Sequence, residues 1–309
     1  MGTDAHLIVV GGAPRLVDLA VARVQDLERR WSRFRPDSEI SRANGRAGEW
    51  TTVSPETVAL VERAELARRR TGGRFDPTLL HDVVAAGYDR SFDELAGSPT
   101  GPDDDTPRPM PLESTGKSGG PVLVDRAASA ILVPRGVGFD PGGMGKGFAA
   151  DLVVGELLGE AAGGACVNLG GDVRVAGVGP DGGDWIISVD DPRDPGESTV
   201  AELHLADGAV ATSSRCRRRW ARTDGTPAHH LIDPSTHRPA ETPTLAATVV
   251  ASEAWVAEAL AKIAFLVAPT TFVAELTRAG ATGLVVTEHG VLRAPELGRF
   301  TRCVAAPTG

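Results

Sequence analysis

Apolar residues in the first part of the chain recur at helical spacing. Between Arg15 and Phe34 they fall at Val17, Ala20, Val24, Leu27 and Trp31, a single stripe that predicts an amphipathic helix stopped by Pro36. The short apolar run Ala5 to Val10 predicts a strand ahead of it. Ser38 is placed to cap a short turn through Asn44. Ser54-Pro55 combines a cap with proline at the first helical position and opens a helix that closes at Gly72-Gly73. The pattern changes after residue 120, where short apolar runs alternate with turn residues. They predict strands at 122–124, 129–133, 165–169, 173–175, 185–189, 202–205, 209–213, 217–223, 228–232 and 245–251. Asp207-Gly208 and Asp224-Gly225 fit hairpin turns. Helical spacing returns over 148–158, from a Ser252 cap to about Leu266, and over 271–279, before a last hairpin at His289-Gly290. Strands and helices cluster rather than alternate strictly, so the fold class is α+β, with a central, mostly antiparallel sheet flanked by helices. Residues 96 to 120 are proline, glycine and acid with almost nothing apolar. They predict a flexible surface loop inside a single domain covering 1–309 rather than a boundary.

Composition narrows the function classes. Hydrophobic residues make up 41% of 309, enough for a sizeable core, while 37 glycines and 22 prolines imply many turns. A net charge of −9 argues against nucleic acid or an anionic membrane as partner. The five arginines of the predicted 217–223 strand and its approach (Arg215, Arg217, Arg218, Arg219, Arg222) have a single aromatic residue, Trp220, among them. They fit a solvated sheet face, or a local contact with a phosphate, better than a nucleic-acid surface. Cys166, Cys216 and Cys303 are odd in number and widely spaced, which fits a reducing compartment. MGTDAHLIVVGG has no basic n-region and no window approaches a membrane span, so the expectation is a cytoplasmic chain without membrane insertion.

The richest chemistry lies in Gly138–Asp151, GFDPGGMGKGFAAD. Gly142, Gly143, Gly145 and Gly147 free the backbone for close approach, a helix opening beyond them offers unpaired N–H groups, and Lys146 adds a positive charge. That combination suits a phosphate, although a glycine-rich turn that merely packs closely fits as well. It matches neither a P-loop nor a dinucleotide fingerprint. TGGRFDPT places Asp76 just after a helix end, where it either faces a ligand or caps the next helix. VNLGGD ends a buried strand in Asn168, Gly170, Gly171 and an acid. In HHLIDP, His230 and Asp233 bracket a strand end as a plausible base and acid, leaving His229 as the surface histidine. Glu258 and Lys262 are neighbours on one helix face, which by itself reads as a surface ion pair.

Taken in order, MGT, SEISRANG, TGGRFDPT, FDPGGMGKGFAAD, VNLGGDVRVAG, HHLIDP and the late helix closely resemble the FAD:protein FMN transferases, the ApbE-like flavin transferases. The resemblance runs from Met1 to about Val267 and implies a single ApbE-like, T-fold-related domain. It implies that FAD is bound, that its pyrophosphate is split, and that FMN is joined to a threonine or serine hydroxyl of an acceptor protein while AMP leaves. By the same resemblance, Met1 and Asp76 contact the flavin or adenosine, and Gly142, Gly143, Gly145, Lys146 and Gly147 hold the pyrophosphate. Asn168, Gly170, Gly171 and Ser213 belong to the same cofactor-binding set. His230, with Asp233 and Lys146, serves the transfer step. The family uses Mg²⁺, held by an aspartate, a threonine four residues later and backbone carbonyls near the glycine loop. Here those positions are Glu258, Lys262 and the Gly145 carbonyl. Lysine has donors only, so its ammonium would stand in the metal's place. His237 and Ser214 also replace glycines of the family pattern. Two other readings stay open: a flavin-binding protein that keeps the pocket without transfer, and an FAD pyrophosphatase yielding FMN and AMP.

Overall fold

The computed structural model describes residues 3–91, 120–217, 219–221 and 227–301. Met1, residues 96–119, Arg218, Arg222, the Asp224-Gly225 turn and Cys303 lie outside them. The chain forms two compact units. One contains Gln25–Gly145 and Arg215–Glu241; the other contains Asp4–Val24, Lys146–Ser214 and Thr242–Gly309.

In the first unit, the turn expected at Ser38 is a helix, Glu39–Gly45, whose first turn is held by Ser41 N donating to Ser38 Oγ at 3.0 Å. The Pro55–Arg70 helix begins at its Ser54 cap as the sequence predicts. Glu39 fastens the two helix starts together, accepting from Ser54 N at 3.0 Å, from Ser54 Oγ at 2.8 Å and from the Thr57 hydroxyl. A three-stranded sheet orders Thr51–Thr52, Ala130–Leu132 and Leu123–Asp125. The predicted 228–232 strand is in fact two, Pro227–His229 and Ile232–Asp233, with different partners: the first pairs with Arg219–Ala221, the second with Arg238–Pro239. The change of partner at His230 is invisible to apolar alternation, which only reports which residues face inward.

The second unit is built on a seven-stranded antiparallel sheet whose spatial order follows the chain. Its strands are Ala5–Val10, Gly164–Leu169, Asp172–Gly177, Asp207–Ser214, Thr244–Ala251, Thr282–Thr287 and Gly290–Arg293. Gly170 and Gly171 turn the second strand into the third with φ of 66° and 97°. Two successive positive-φ residues are what a tight two-residue hairpin of this hand requires. Asp207-Gly208, expected as a hairpin turn, instead opens a strand. The strand before it, Thr199–Leu205, pairs with Trp185–Asp190 in a separate ribbon.

Two helices of this unit carry Lys146, Glu258 and Lys262. Gly145–Gly159 starts three residues earlier than its apolar pattern, so Gly145, Lys146 and Gly147 form its first turn rather than a loop before it. Phe148, Ala149, Ala150, Val153, Val154 and Leu157 on it are all buried. Ala254–Ile263 packs on the 207–214 and 244–251 strands. Ser252 does not cap it. The cap position is Glu253, whose side chain makes no capping bond, and the exposed amides are taken by Asp151 instead. Its carboxylate accepts from Ala254 N at 2.8 Å and Trp255 N at 3.0 Å, and pairs with Arg174 at 3.2 Å. Burial pushes the Asp151 carboxyl up to about 6, against the pull of those amides and of Arg174.

Replacing Asp151 with alanine is therefore expected to strand the Ala254 and Trp255 amides, while Arg174 keeps Asp207 as its partner at 2.7 Å. The cost should be about 2 kcal/mol of unfolding free energy, with Asp151→Asn losing less because one acceptor oxygen survives. Urea denaturation of both variants beside the wild type checks this; a null effect for Asp151→Ala would contradict the assigned capping role.

Candidate functional site

Four charged side chains of the second unit converge on one spot. Lys146 projects from the first turn of the Gly145–Gly159 helix, and Asp172 is the first residue of its strand, straight after the two-glycine turn. Glu258 and Lys262 come from successive turns of the Ala254–Ile263 helix. Lys146 Nζ donates to Glu258 Oε1 at 2.5 Å and to Asp172 Oδ2. Glu258 Oε2 accepts from Gly147 N at 2.8 Å. Lys262 Nζ lies farther off, 3.4 Å from Glu258 Oε1, 3.2 Å from the Glu258 carbonyl and 3.5 Å from Ser213 Oγ.

Glycine 147 makes this convergence possible. A Cβ there would sit 2.7 Å from Trp255 N, so only glycine lets the two helix starts approach until Glu258 reaches the 147 amide. The pair at 258 and 262, which spacing alone reads as a surface ion pair, is buried: the Glu258 side chain is 0% exposed, that of Lys262 18%. Ala254, Ala257, Ala259 and Ala261 are buried too, so this helix is apolar nearly all round and offers no polar face to water.

The charges sustain one another. Burial alone would lower the Lys146 ammonium, but Asp172 and Glu258 outweigh it and hold it above its ordinary value. Burial would raise Glu258; Lys146, Lys262 and the Gly147 N–H reverse that and hold it well below the usual carboxylate range. Asp172 goes the other way, pushed up by burial and by the neighbouring Glu258 charge against the two lysines. Burial and the Lys146 charge lower Lys262, partly offset by Glu258 and Asp172.

This donor set does not fit Mg²⁺. Both Glu258 carboxylate oxygens already have partners, Asp172 is bound to Lys146, and two ammonium groups balance two carboxylates. A dication would enter a spot with no net negative charge, beside lysines that can only donate. Among the described residues no group of three or more His, Cys, Asp or Glu side chains is disposed to hold a metal ion.

The remaining expected site residues are spread over both units. Asn168 shapes the hairpin that delivers Asp172, its Oδ1 accepting from Gly171 N at 2.8 Å. Asp76 is tied inward in the first unit, accepting from Thr78 N at 2.8 Å and Thr78 Oγ1 at 2.6 Å with Arg68 3.6 Å away, and its side chain is 2% exposed. It does not cap the following helix, whose cap position is Leu79. Gly142 and Gly143 lie in a short turn, Pro141–Gly143, where Gly142 N donates to Asp140 Oδ1 at 2.8 Å and Asp140 pairs with Arg33 at 3.3 Å. Asp233 accepts from both Ser235 N and Ser235 Oγ at 2.7 Å, making a turn. That turn ends in His237 at φ 56°, with Nδ1 2.9 Å from Asp82 Oδ2. His230 is partly buried. His229, read as the surface histidine, is also half-buried: its Nε2 is 3.1 Å from the Ala240 carbonyl, and burial lowers its pKa. Asp172 is the member of the charged cluster that the motifs do not single out. Its signal was there, an acid closing VNLGGD, but nothing in the spacing tied it to Lys146, 26 residues away.

The Glu258 charge has a pH signature. Its folded value is depressed, so its contribution is fully present above the unfolded value of about 4.3 and is lost as pH falls toward its folded value. Glu258→Gln should cost about 3 kcal/mol near neutral pH, and the gap from wild type should shrink by about pH 3. Denaturant titrations at both pH values test this; a gap that stays constant with pH would refute a charge-based role.

Comparison with known proteins places this geometry. The ApbE family model matches residues 1–284. A curated relative from Treponema pallidum, named FAD:protein FMN transferase, is 31% identical over 260 residues, covering 79% of this chain and 68% of its own. One of the same name from Chlamydia trachomatis is 31% identical over 254 residues, covering 78% and 72%. The crystal structure of the ApbE protein from Thermotoga maritima superposes with a TM-score of 0.84 at 28% identity, over 97% of this chain and 96% of that one. Matched by that family model over most of its length and by these relatives at 31% identity, this chain belongs to the ApbE family.

Proposed function

We propose that this protein transfers FMN from FAD to a threonine or serine hydroxyl of an acceptor protein and releases AMP. The observation that carries the reading is the match to two curated FAD:protein FMN transferases at 31% identity, spanning more than three-quarters of this chain. In the reaction the acceptor hydroxyl oxygen attacks the phosphorus of the FMN half. The bond from that phosphorus to the bridging oxygen breaks, AMP leaves with that oxygen, and the hydroxyl proton must be removed. His230 takes that proton, and Asp233 shapes the turn beside it. The pyrophosphate is received at Gly142, Gly143 and Gly145, with Lys146 and Lys262 supplying positive charge. By the motif resemblance, Met1, Asp76, Asn168, Gly170, Gly171 and Ser213 are the other residues assigned to FAD contact. Phosphoryl transfer of this kind rests on positioning and charge neutralisation more than on covalent chemistry. No helix among the described residues is long and apolar enough to cross a membrane. A cytoplasmic location belongs to the same proposal and is supported by the sparse, widely spaced cysteines of the sequence.

Incubating the protein with FAD and candidate acceptors should give AMP together with an acceptor heavier by one FMN, read by mass spectrometry. His230→Asn should lower the rate of AMP release by about 10²-fold or more while FAD still binds, as loss of a general base does. AMP without any labelled acceptor would point to an FAD pyrophosphatase instead. Bound flavin without AMP would point to a binding protein.

A further inference from the structure

The charge count of the buried cluster separates this chain from a magnesium-dependent site. Lys146 and Lys262 carry two positive charges, Asp172 and Glu258 two negative ones, so the cluster is neutral. Were residue 262 a neutral hydroxyl, the same cluster would hold one uncompensated negative charge in a buried place, which is the setting that draws in a hard cation. With lysine there, the cation is already covalently in place.

The two lysines are not equivalent. Lys146 is gripped by two carboxylates at short range and its side chain is 13% exposed. Lys262 makes three longer contacts, of 3.2, 3.4 and 3.5 Å, one of them to the carbonyl of its own helix. Its side chain is the most exposed of the four. An ammonium has three donors that swing on a flexible stem, so loosely held contacts can be traded for an incoming anionic oxygen. Lys146 is thus the anchor of the cluster and Lys262 its adjustable charge.

We propose that the Lys262 ammonium takes over the charge-neutralising role of a divalent metal, so that this protein handles the FAD pyrophosphate without Mg²⁺. This rests on the proposed FMN transfer. Mg²⁺ could enter only by displacing Lys262 from Glu258, and would then face a neighbouring ammonium as well as the cost of shedding its own water. Lys262 makes no bond to phosphorus and gains or loses no proton in the transfer. It neutralises charge that develops on the pyrophosphate oxygens as AMP leaves.

The test has two independent readouts. In the first, thermal unfolding of the FAD-free wild type is followed as MgCl₂ is added at constant ionic strength, beside Lys262→Thr. The expected result is a wild-type midpoint that does not move, and a saturable upward shift in Lys262→Thr, where the added hydroxyl and the uncompensated negative charge of the cluster can draw in the ion. A saturable Mg²⁺ shift in the wild type overturns the proposal, whether or not the variant folds. In the second, AMP release from FAD by the wild type is measured in EDTA and in Mg²⁺. The rates should agree within about twofold, whereas a loss of about tenfold or more in EDTA, restored by Mg²⁺, overturns it. If the wild type releases no AMP in either buffer, it is the transfer reading that fails, and the unfolding measurement still decides the metal question.

Discussion

Burying Glu258 completely is the constraint to which the surrounding structure answers. A carboxylate with 0% of its side chain exposed would be prohibitively costly alone, and three separate groups supply its compensation. Lys146 comes from one helix start, the Gly147 amide from the same turn, and Lys262 from the next turn of Glu258's own helix. Asp172, which accepts from Lys146, then supplies the second negative charge of the cluster. Each partner dictates something in the backbone: glycine at 147 for the close approach, two positive-φ glycines to deliver Asp172, and Asp151 to satisfy the amides of the helix that carries Glu258. The arrangement draws its stability from geometry rather than from any one pair, because a half-compensated cluster would be worse than an apolar one.

Much of the secondary structure was legible because it is written locally. Ser54-Pro55 announces the Pro55–Arg70 helix, and Gly170-Gly171 between two apolar runs announces the hairpin; both occur as expected. What failed was tertiary. Ser252 looks like a cap because Ser, Thr, Asp and Asn usually are, yet the acceptor for Ala254 N and Trp255 N is Asp151, over a hundred positions earlier. The 228–232 run reads as one strand because no glycine or proline interrupts it, while hydrogen bonding changes partner inside it. Asp207-Gly208 reads as a hairpin turn because that dipeptide often is one. Here the flanking strands belong to different sheets.

The site was legible in its parts and not in its assembly. The order of motifs along the chain was sufficient for the family, and the match over residues 1–284 bears that out. The i,i+4 spacing of Glu258 and Lys262 correctly made them neighbours. It could not say which face they occupy, because alanines surround them and alanine is at home in water or in a core. Equally, the glycines of 142–147 were read as room for a phosphate. At 147 the structure gives the glycine a different job, the approach of two helices, and commits its amide to Glu258. Sequence distinguishes poorly between a glycine that admits a ligand and one that admits another part of the chain, since both need only the absence of a Cβ.

Glutamate at 258 and lysine at 262 are best understood as one device rather than two. Lysine alone would add a buried positive charge, which burial already drives toward the neutral form. It stays useful as a cation only because a carboxylate on the preceding turn faces it. That carboxylate must also serve Lys146 and the Gly147 amide, and spans both with its two oxygens. The glutamate stem sets how far those oxygens reach from the helix, so shortening it while lysine remains would leave one of its three partners unmet. The balance of the cluster therefore ties the identity of residue 258 to that of residue 262, and both to the glycine that lets the two helices touch.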